Sequence, residues 1–229
     1  MRPVGFSTGA LALGDVERAL RMLEGSGATA VELSALRLHE LAPLLERLAS
    51  LDLGAYDRVS LHAPSRFSRE EEPRVLEALA PVVARGIAVI LHPDTLFDVA
   101  AWRSLGPLAC VENMDLAKPL GRTLAELEPF FAALPDATFC LDVGHARQVD
   151  STMERGGELA RALAERTRQL HVSEVDPSGG HHRLSPGSIA DFRALRRWVP
   201  ERAALILETP ASLDELKRQM DECQAALAR

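Results

Sequence analysis

Eight short apolar runs recur along the chain at nearly even spacing, separated by longer segments rich in Ala, Leu, Glu and Arg. The runs lie near 3–7, 30–34, 58–62, 87–92, 108–113, 138–143, 168–173 and 203–208. Between them, apolar residues return every three or four positions over 15–25, 38–50, 70–85, 95–104, 123–133, 152–166, 188–198 and 212–228. A short continuous apolar run suits a strand covered on both faces, and the three-to-four spacing suits a helix with one buried side. Asp15, Thr123 and Ser212 precede apolar helical faces, and Gly25 and Gly86 follow them, as start and stop signals do. Eight such units predict an α/β fold: a compact (β/α)8 TIM barrel of eight parallel strands with outer helices. An open doubly wound sheet is the competing architecture. It would place a glycine-rich loop at its switch crevice, and the chain has neither a GxGxxG nor a Walker pattern.

At 229 residues, 47% of them apolar, the chain suits one barrel domain over 1–229, with no linker or low-complexity tract to divide it. A net charge of −7 sets a repulsive mean field against polyanions, so nucleic acid is a disfavoured partner. The three cysteines are odd in number and widely spaced, which argues against a disulfide framework and for a reducing compartment. No stretch approaches the roughly 18 apolar residues of a membrane span. A cytoplasmic protein without membrane contact is expected. Helical outer faces such as ELARALAERTRQL suit either solvent or a homodimer partner.

The apolar runs end on groups that hydrocarbon strands do not need. VSLHAP, VILHPD, CVENMD, FCLDVGH, LHVSEVD and LILETP place His62, His92, Glu112, Asp142, His145, His171 and Glu208 at strand ends. Side chains two apart on a strand share a face. Ser60, Ile90, Cys110, Cys140, Gln169 and Ile206 should therefore fill the layer beneath these polar groups, with the two cysteines as core fillers. Singly, each candidate has a plainer reading as a hydrogen-bonded histidine, a helix cap or a salt-bridge partner. Together at one mouth, three carboxylates without a cation would repel one another, and a divalent ion removes that conflict. His/Asp/Glu ligation suits zinc or manganese foremost, with cobalt, iron or magnesium also compatible.

The ordered series LHAP, LHP, VEN, LDVGH, LHVSEVD…HHRL…DF and LETP, over about residues 58–210, resembles the xylose-isomerase-like TIM-barrel superfamily. That superfamily holds sugar and sugar-phosphate isomerases and epimerases together with the endonuclease-four type of apurinic endonucleases. The resemblance implies that Glu112, Asp142, His171 and Glu208 hold one divalent ion, that Glu112 and Glu208 act as the acid/base pair, and that His145 contacts substrate. It also matches His62 and His92, with a bridging Glu112, to a second metal site of the endonuclease kind, and His145 with His181 to a third.

Departures from the pattern separate these branches. The third endonuclease site uses an aspartate where this chain has Gly179, leaving Asp176 as the nearby substitute. An aromatic that helps distort DNA aligns with Ser65, and the chain has ten aromatics in all. The expectation is therefore an isomerase or epimerase acting on a small sugar, sugar phosphate or hydroxy-ketone through metal-stabilised enediolate proton transfer. A phosphodiesterase or apurinic endonuclease with two or more metals is the alternative, and an inactive metal- or ligand-binding barrel a third. His145 with His181 or His182 would position hydroxyls, and Arg183 or Lys118 could hold a phosphate or simply lie solvated. Glu32 and Glu174 are spare acids, read either as rim ion pairs or as substrate contacts. His39 reads as a surface helix residue, and Trp102 and Trp198 as helix packing.

Overall fold

Strands of four to six residues leave every backbone amide and carbonyl to be paired with a neighbouring strand, and only a closed sheet does so without an edge. A computed structural model describes residues 2–227 and shows that closure. The barrel strands are β1 (Val4–Ser7), β2 (Ala30–Ser34), β3 (Arg58–His62), β4 (Ala88–Leu91), β5 (Ala109–Glu112), β6 (Thr138–Asp142), β7 (Thr167–Val172) and β10 (Ala204–Leu207). All pair in parallel in the cyclic order β1-β10-β7-β6-β5-β4-β3-β2. A two-residue antiparallel ribbon, β8 (Glu174–Val175) with β9 (His181–His182), stands apart after β7. The fold is a (β/α)8 TIM barrel.

Alternation along each strand divides the apolar residues between two layers. Val31, Leu33, Leu61, Leu91, Leu141, Leu170 and Leu207 belong to the large cluster between sheet and helices. Their neighbours form two small separate clusters, Ala30 with Ala204 and Ile206, and Ile90 with Cys110 and Cys140. These line the barrel interior, so the cysteines fill core as expected. Each Leu or Ile in the outer layer contributes about 1.5–3 kcal/mol on burial, which makes that layer the main source of stability.

The surrounding helices are α1 (Thr8–Ala12), α2 (Val16–Leu23), α3 (Leu38–Leu48), α4 (Glu72–Ala78), α5 (Ala80–Ala84), α6 (Leu124–Ala133), α7 (Val143–Val149), α8 (Glu154–Ala162), α9 (Pro186–Arg193) and α10 (Leu216–Leu227). Asp15 caps α2 by accepting from the Arg18 N–H at 3.0 Å, and Thr123 caps α6 through the Glu126 N–H at 3.3 Å. Ser212 does not cap. Its N–H donates to Glu215 at 2.9 Å and the helix starts later, at Leu216. The last residue of the helix expected to reach 228 lies outside the described residues. The helix expected over 70–85 is divided at Leu79 into α4 and α5, where Pro81 lacks the N–H a continuous helix needs. Trp198 falls in the turn after α9 instead of on a helix, half-buried, with the Arg161 and Arg197 guanidinium groups 5.9 and 4.9 Å from its ring centroid.

The largest correction concerns 95–104. This segment forms 3₁₀ turns over Pro93–Thr95 and Val99–Leu108, the latter kinked at Gly106 with φ of 52°. Prolines at 93 and 107 remove two donors, and a buried carboxylate supplies the anchorage that a longer helix would have provided. Glu72 of α4 accepts from the Trp102 indole N–H at 2.8 Å and from the Asp98 amide at 3.0 Å. Trp102 is fully buried there. No helix among the described residues is long and apolar enough to cross a membrane.

Gly5 faces Ala30 across the β1–β2 pair, and a Cβ at that position would lie 1.7 Å from the Ala30 carbonyl oxygen. Backbone cannot yield as a flexible side chain does. Gly5→Ala should therefore cost about 3 kcal/mol or more, read as a drop in urea midpoint at unchanged slope, and a cost below about 1 kcal/mol would contradict this packing.

Candidate metal centre

Parallel strands all end at the same rim, so polar residues at their C-terminal ends converge without any long loop. His62 ends β3, Glu112 ends β5 and Asp142 ends β6, while His171 is the penultimate residue of β7. His92 and Glu208 stand one residue beyond β4 and β10. Three overlapping sets of donor atoms lie within 4.8 Å of one another: Glu112 with Asp142 and His171; His62 with His92 and Glu112; and His62 with His171 and Glu208. Glu112 joins the first two. Its Oε1 is 3.0 Å from His171 Nδ1, and its Oε2 is 3.3 Å from both His62 Nε2 and His92 Nε2. Glu208 Oε1 lies 3.5 Å from the same His171 Nδ1.

The side chains are held in place from behind. Asp142 Oδ1 caps α7 by accepting from the His145 N–H at 2.6 Å, so only Oδ2 faces the cluster. Gly144 allows that helix to start so close to β7, because a Cβ there would meet the Ser173 carbonyl oxygen at 2.6 Å. His62 Nδ1 donates to the Ala63 carbonyl at 2.7 Å, and His145 Nδ1 to the Asn113 carbonyl at 2.9 Å. Such commitments fix imidazole orientation, as metal-binding histidines require.

The electrostatics show what this cluster lacks. Burial pushes the Asp142 carboxyl up to about 6, with Glu208 and Glu112 adding to the rise, and burial likewise raises Glu208. Burial would raise Glu112 as well, but His171, His62 and His92 outweigh it and hold that carboxyl well down. Burial opposes charge on His62, yet Glu112 and Glu32 hold it up at about 9, while burial pushes His92 down to about 4. Of the three acids at the mouth, Glu112 is thus held charged by the histidines, while Asp142 and Glu208 are driven towards taking a proton themselves. Glu112 Oε2 and Asp142 Oδ2 are buried without a donor in hydrogen-bonding geometry. A divalent cation fits this set: it would satisfy both oxygens and displace the histidine protons.

The remaining candidates divide clearly. Glu32 is neither at the rim nor exposed: it is fully buried inside the barrel, where its Oε2 lies 2.9 Å from His171 Nε2. Glu174 forms a rim ion pair with Arg147 at 3.3 Å and accepts from the Ser185 N–H. His181 stands beside the cluster, its Nδ1 3.4 Å from Glu208 Oε2 and 2.9 Å from Ser173 Oγ. His182 is instead exposed and bound to Asp176 at 2.6 Å. Asp176 is therefore engaged by His182 and by its own turn, not by His181 or His145. Arg183 is paired with Glu215, and Lys118 with Asp94 at 2.9 Å, so both of these cations are already engaged by carboxylates. His39 is exposed on α3.

Two residues of the site escaped the sequence reading. The Asn113 side chain accepts from the Asp142 N–H at 2.8 Å and donates to the Asp142 carbonyl at 2.9 Å, pinning one candidate ligand from the next strand. The signal was the amide directly after Glu112 in VEN. Ser173, holding His181, was visible only as the polar residue closing LHVS.

No protein-family model and no curated protein sequence matches the chain. Solved structures do. A xylose isomerase domain protein from Alicyclobacillus acidocaldarius superposes with a TM-score of 0.71 at 16% identity, covering 100% of this chain and 98% of that one. A xylose isomerase-like TIM barrel protein from Mycobacterium smegmatis, in complex with magnesium, gives 0.62 at 15% identity over 100% and 98%. A putative sugar phosphate isomerase/epimerase from Anabaena variabilis gives 0.62 at 15% over 96% and 88%. SacUVDE superposes with a TM-score of 0.57 at 14% identity, covering 99% of this chain and 97% of that one. The chain has the fold of the xylose isomerase-like TIM barrels, the group to which its sequence motifs pointed.

Proposed function

We propose that the protein is a divalent-metal-dependent isomerase or epimerase of a small sugar, sugar phosphate or hydroxy-ketone. The observation that carries this reading is the convergence of Glu112, Asp142 and His171 within 4.8 Å, with buried carboxylate oxygens that find no protein donor and Glu208 against the same histidine nitrogen. Structures of an isomerase/epimerase type and one magnesium complex share the fold, in keeping with it. Glu112, Asp142, His171 and Glu208 would hold the ion, with zinc or manganese best suited to the donors. Bound there, it would supply Lewis-acid stabilisation of charge on adjacent carbonyl and hydroxyl oxygens.

The chain's own groups do the rest. Glu112 and Glu208 flank His171, so one can take a proton from carbon and the other return it. His145 has Nδ1 committed to the Asn113 carbonyl, which leaves Nε2 to hold a substrate hydroxyl. The buried floor of Ile90, Cys110, Cys140 and Ile206 closes the site from below.

A second reading rests on Glu112 Oε2, equidistant from His62 and His92 at 3.3 Å. A second ion there would make a bridged pair suited to phosphodiester hydrolysis. Elemental analysis of the purified chain separates the two: one ion per chain supports the isomerase, and two or more with cleavage of an abasic-site oligonucleotide supports the hydrolase.

Glu112→Gln and Glu208→Gln should each lower isomerase turnover by roughly 10²–10⁴-fold. Deuterium uptake from solvent into a ketose panel, followed by NMR, measures this, and unchanged uptake would remove the acid/base assignment. Metal affinity should also depend on pH. With Asp142 pushed up to about 6 by burial, and His171 held well above its usual value, against burial, by the groups around it, protons compete with the ion from about pH 6 upward. Apparent affinity should rise over that range, about tenfold per unit for each proton displaced. Chelator competition checks the slope, and a flat profile would exclude these ligands.

A further inference from the structure

A carboxylate buried inside a TIM barrel, beneath the mouth, has no solvent to share its charge, so its partners show what it is for. Glu32 is completely buried on β2. Its Oε2 gathers three groups: Ser60 Oγ donates at 3.2 Å, the Gln169 amide at 2.6 Å, and His171 Nε2 lies at 2.9 Å. Only the histidine leads onward, since its opposite nitrogen, Nδ1, is the one 3.0 Å from Glu112 and 3.5 Å from Glu208.

A competing arrangement is available to this ring. Gln169 Nε2 is also 3.0 Å from His171 Nε2 and could donate to it if that nitrogen carried no proton. The bare lone pair would then face a carboxylate oxygen 2.9 Å away, an unfavourable contact in so dry a place. Glu32 removes this option. An imidazole that donates from Nε2 presents an unprotonated Nδ1 as soon as a cation displaces its second proton.

We propose that Glu32 is a positioning residue for the cation site: it fixes the tautomer and rotation of His171 so that Nδ1 is the nitrogen offered to the ion. This rests on reading Glu112, Asp142, His171 and Glu208 as the cation site. In this role Glu32 acts through the histidine and not on the ion or substrate itself. Ser60 and Gln169, one layer below the mouth, hold its carboxylate in line.

Titration of the full chain with Co²⁺ tests the idea, because both affinity and the visible spectrum report ligand geometry without any substrate. Glu32→Gln should weaken Co²⁺ binding by roughly 10–100-fold and alter the absorption bands, whereas a change under about threefold with an unaltered spectrum would overturn the proposal. His171→Ala is the control. If it leaves Co²⁺ affinity intact, the site reading itself fails; if it weakens binding while Glu32→Gln does not, only the role of Glu32 fails. In the double variant, Glu32→Gln should add nothing to the loss caused by His171→Ala. Should Glu32→Gln not fold, ¹⁵N NMR of the zinc-loaded natural chain decides. A protonated Nε2 on His171 is expected, and a protonated Nδ1 would refute the assignment.

Discussion

Four carboxylates, Glu32, Glu112, Asp142 and Glu208, are crowded into the upper half of a barrel whose walls are hydrocarbon, and the polar groups around the mouth answer to that concentration of negative charge. Like charges at this spacing cannot all ionise in a poorly solvated space without cations among them. The histidines at 62, 145 and 171 supply protons, yet three of these carboxylate oxygens, on Glu32, Glu112 and Asp142, stay unpaired even with the histidines present. Apolar burial builds the cylinder. The carboxylate cluster explains why its strands end as they do.

The same constraint orders the structure in layers. Small and apolar side chains such as Ala30, Ala204, Ile206, Ile90 and the two cysteines fill the barrel's waist. Most of the polar residues stand one step higher, and several are backed by a fixed partner: Asn113 behind Asp142, the Ala63 carbonyl behind His62, Glu32 behind His171. Backing groups of this sort allow a site at loop-bearing strand ends to be as rigid as the sheet beneath it.

Much of this was legible in the sequence. The eight strands could be read because a buried parallel strand is nearly all apolar, and their registers carry the alternation that sends Cys110 below Glu112 and Cys140 below Asp142. Helices were less legible. The segment after β4 has helical spacing, yet its prolines and the Glu72 carboxylate turn it into 3₁₀ geometry, an outcome set by a tertiary contact no local pattern contains. The short α7 was hidden because DVGHARQV is too brief for a periodic signal, although Asp142 was its cap. Glu32 was the deepest omission of position. Its run, AVELS, shows an acid within an apolar stretch, but whether such a residue points in or out depends on the barrel's register with Ser60 and Gln169, which only closure determines.

Lys118 ties together three separate crossings of the rim. Standing in the loop after β5, its ammonium group donates to the Ser65 carbonyl after β3 at 3.1 Å and to Asp94 after β4 at 2.9 Å. One flexible side chain thereby welds neighbouring sectors into a single stiff arc. On the opposite side the ribbon bearing His181 has a clasp of its own, the Arg183–Glu215 ion pair to the turn after β10, so the rim is tied as two separately braced arcs.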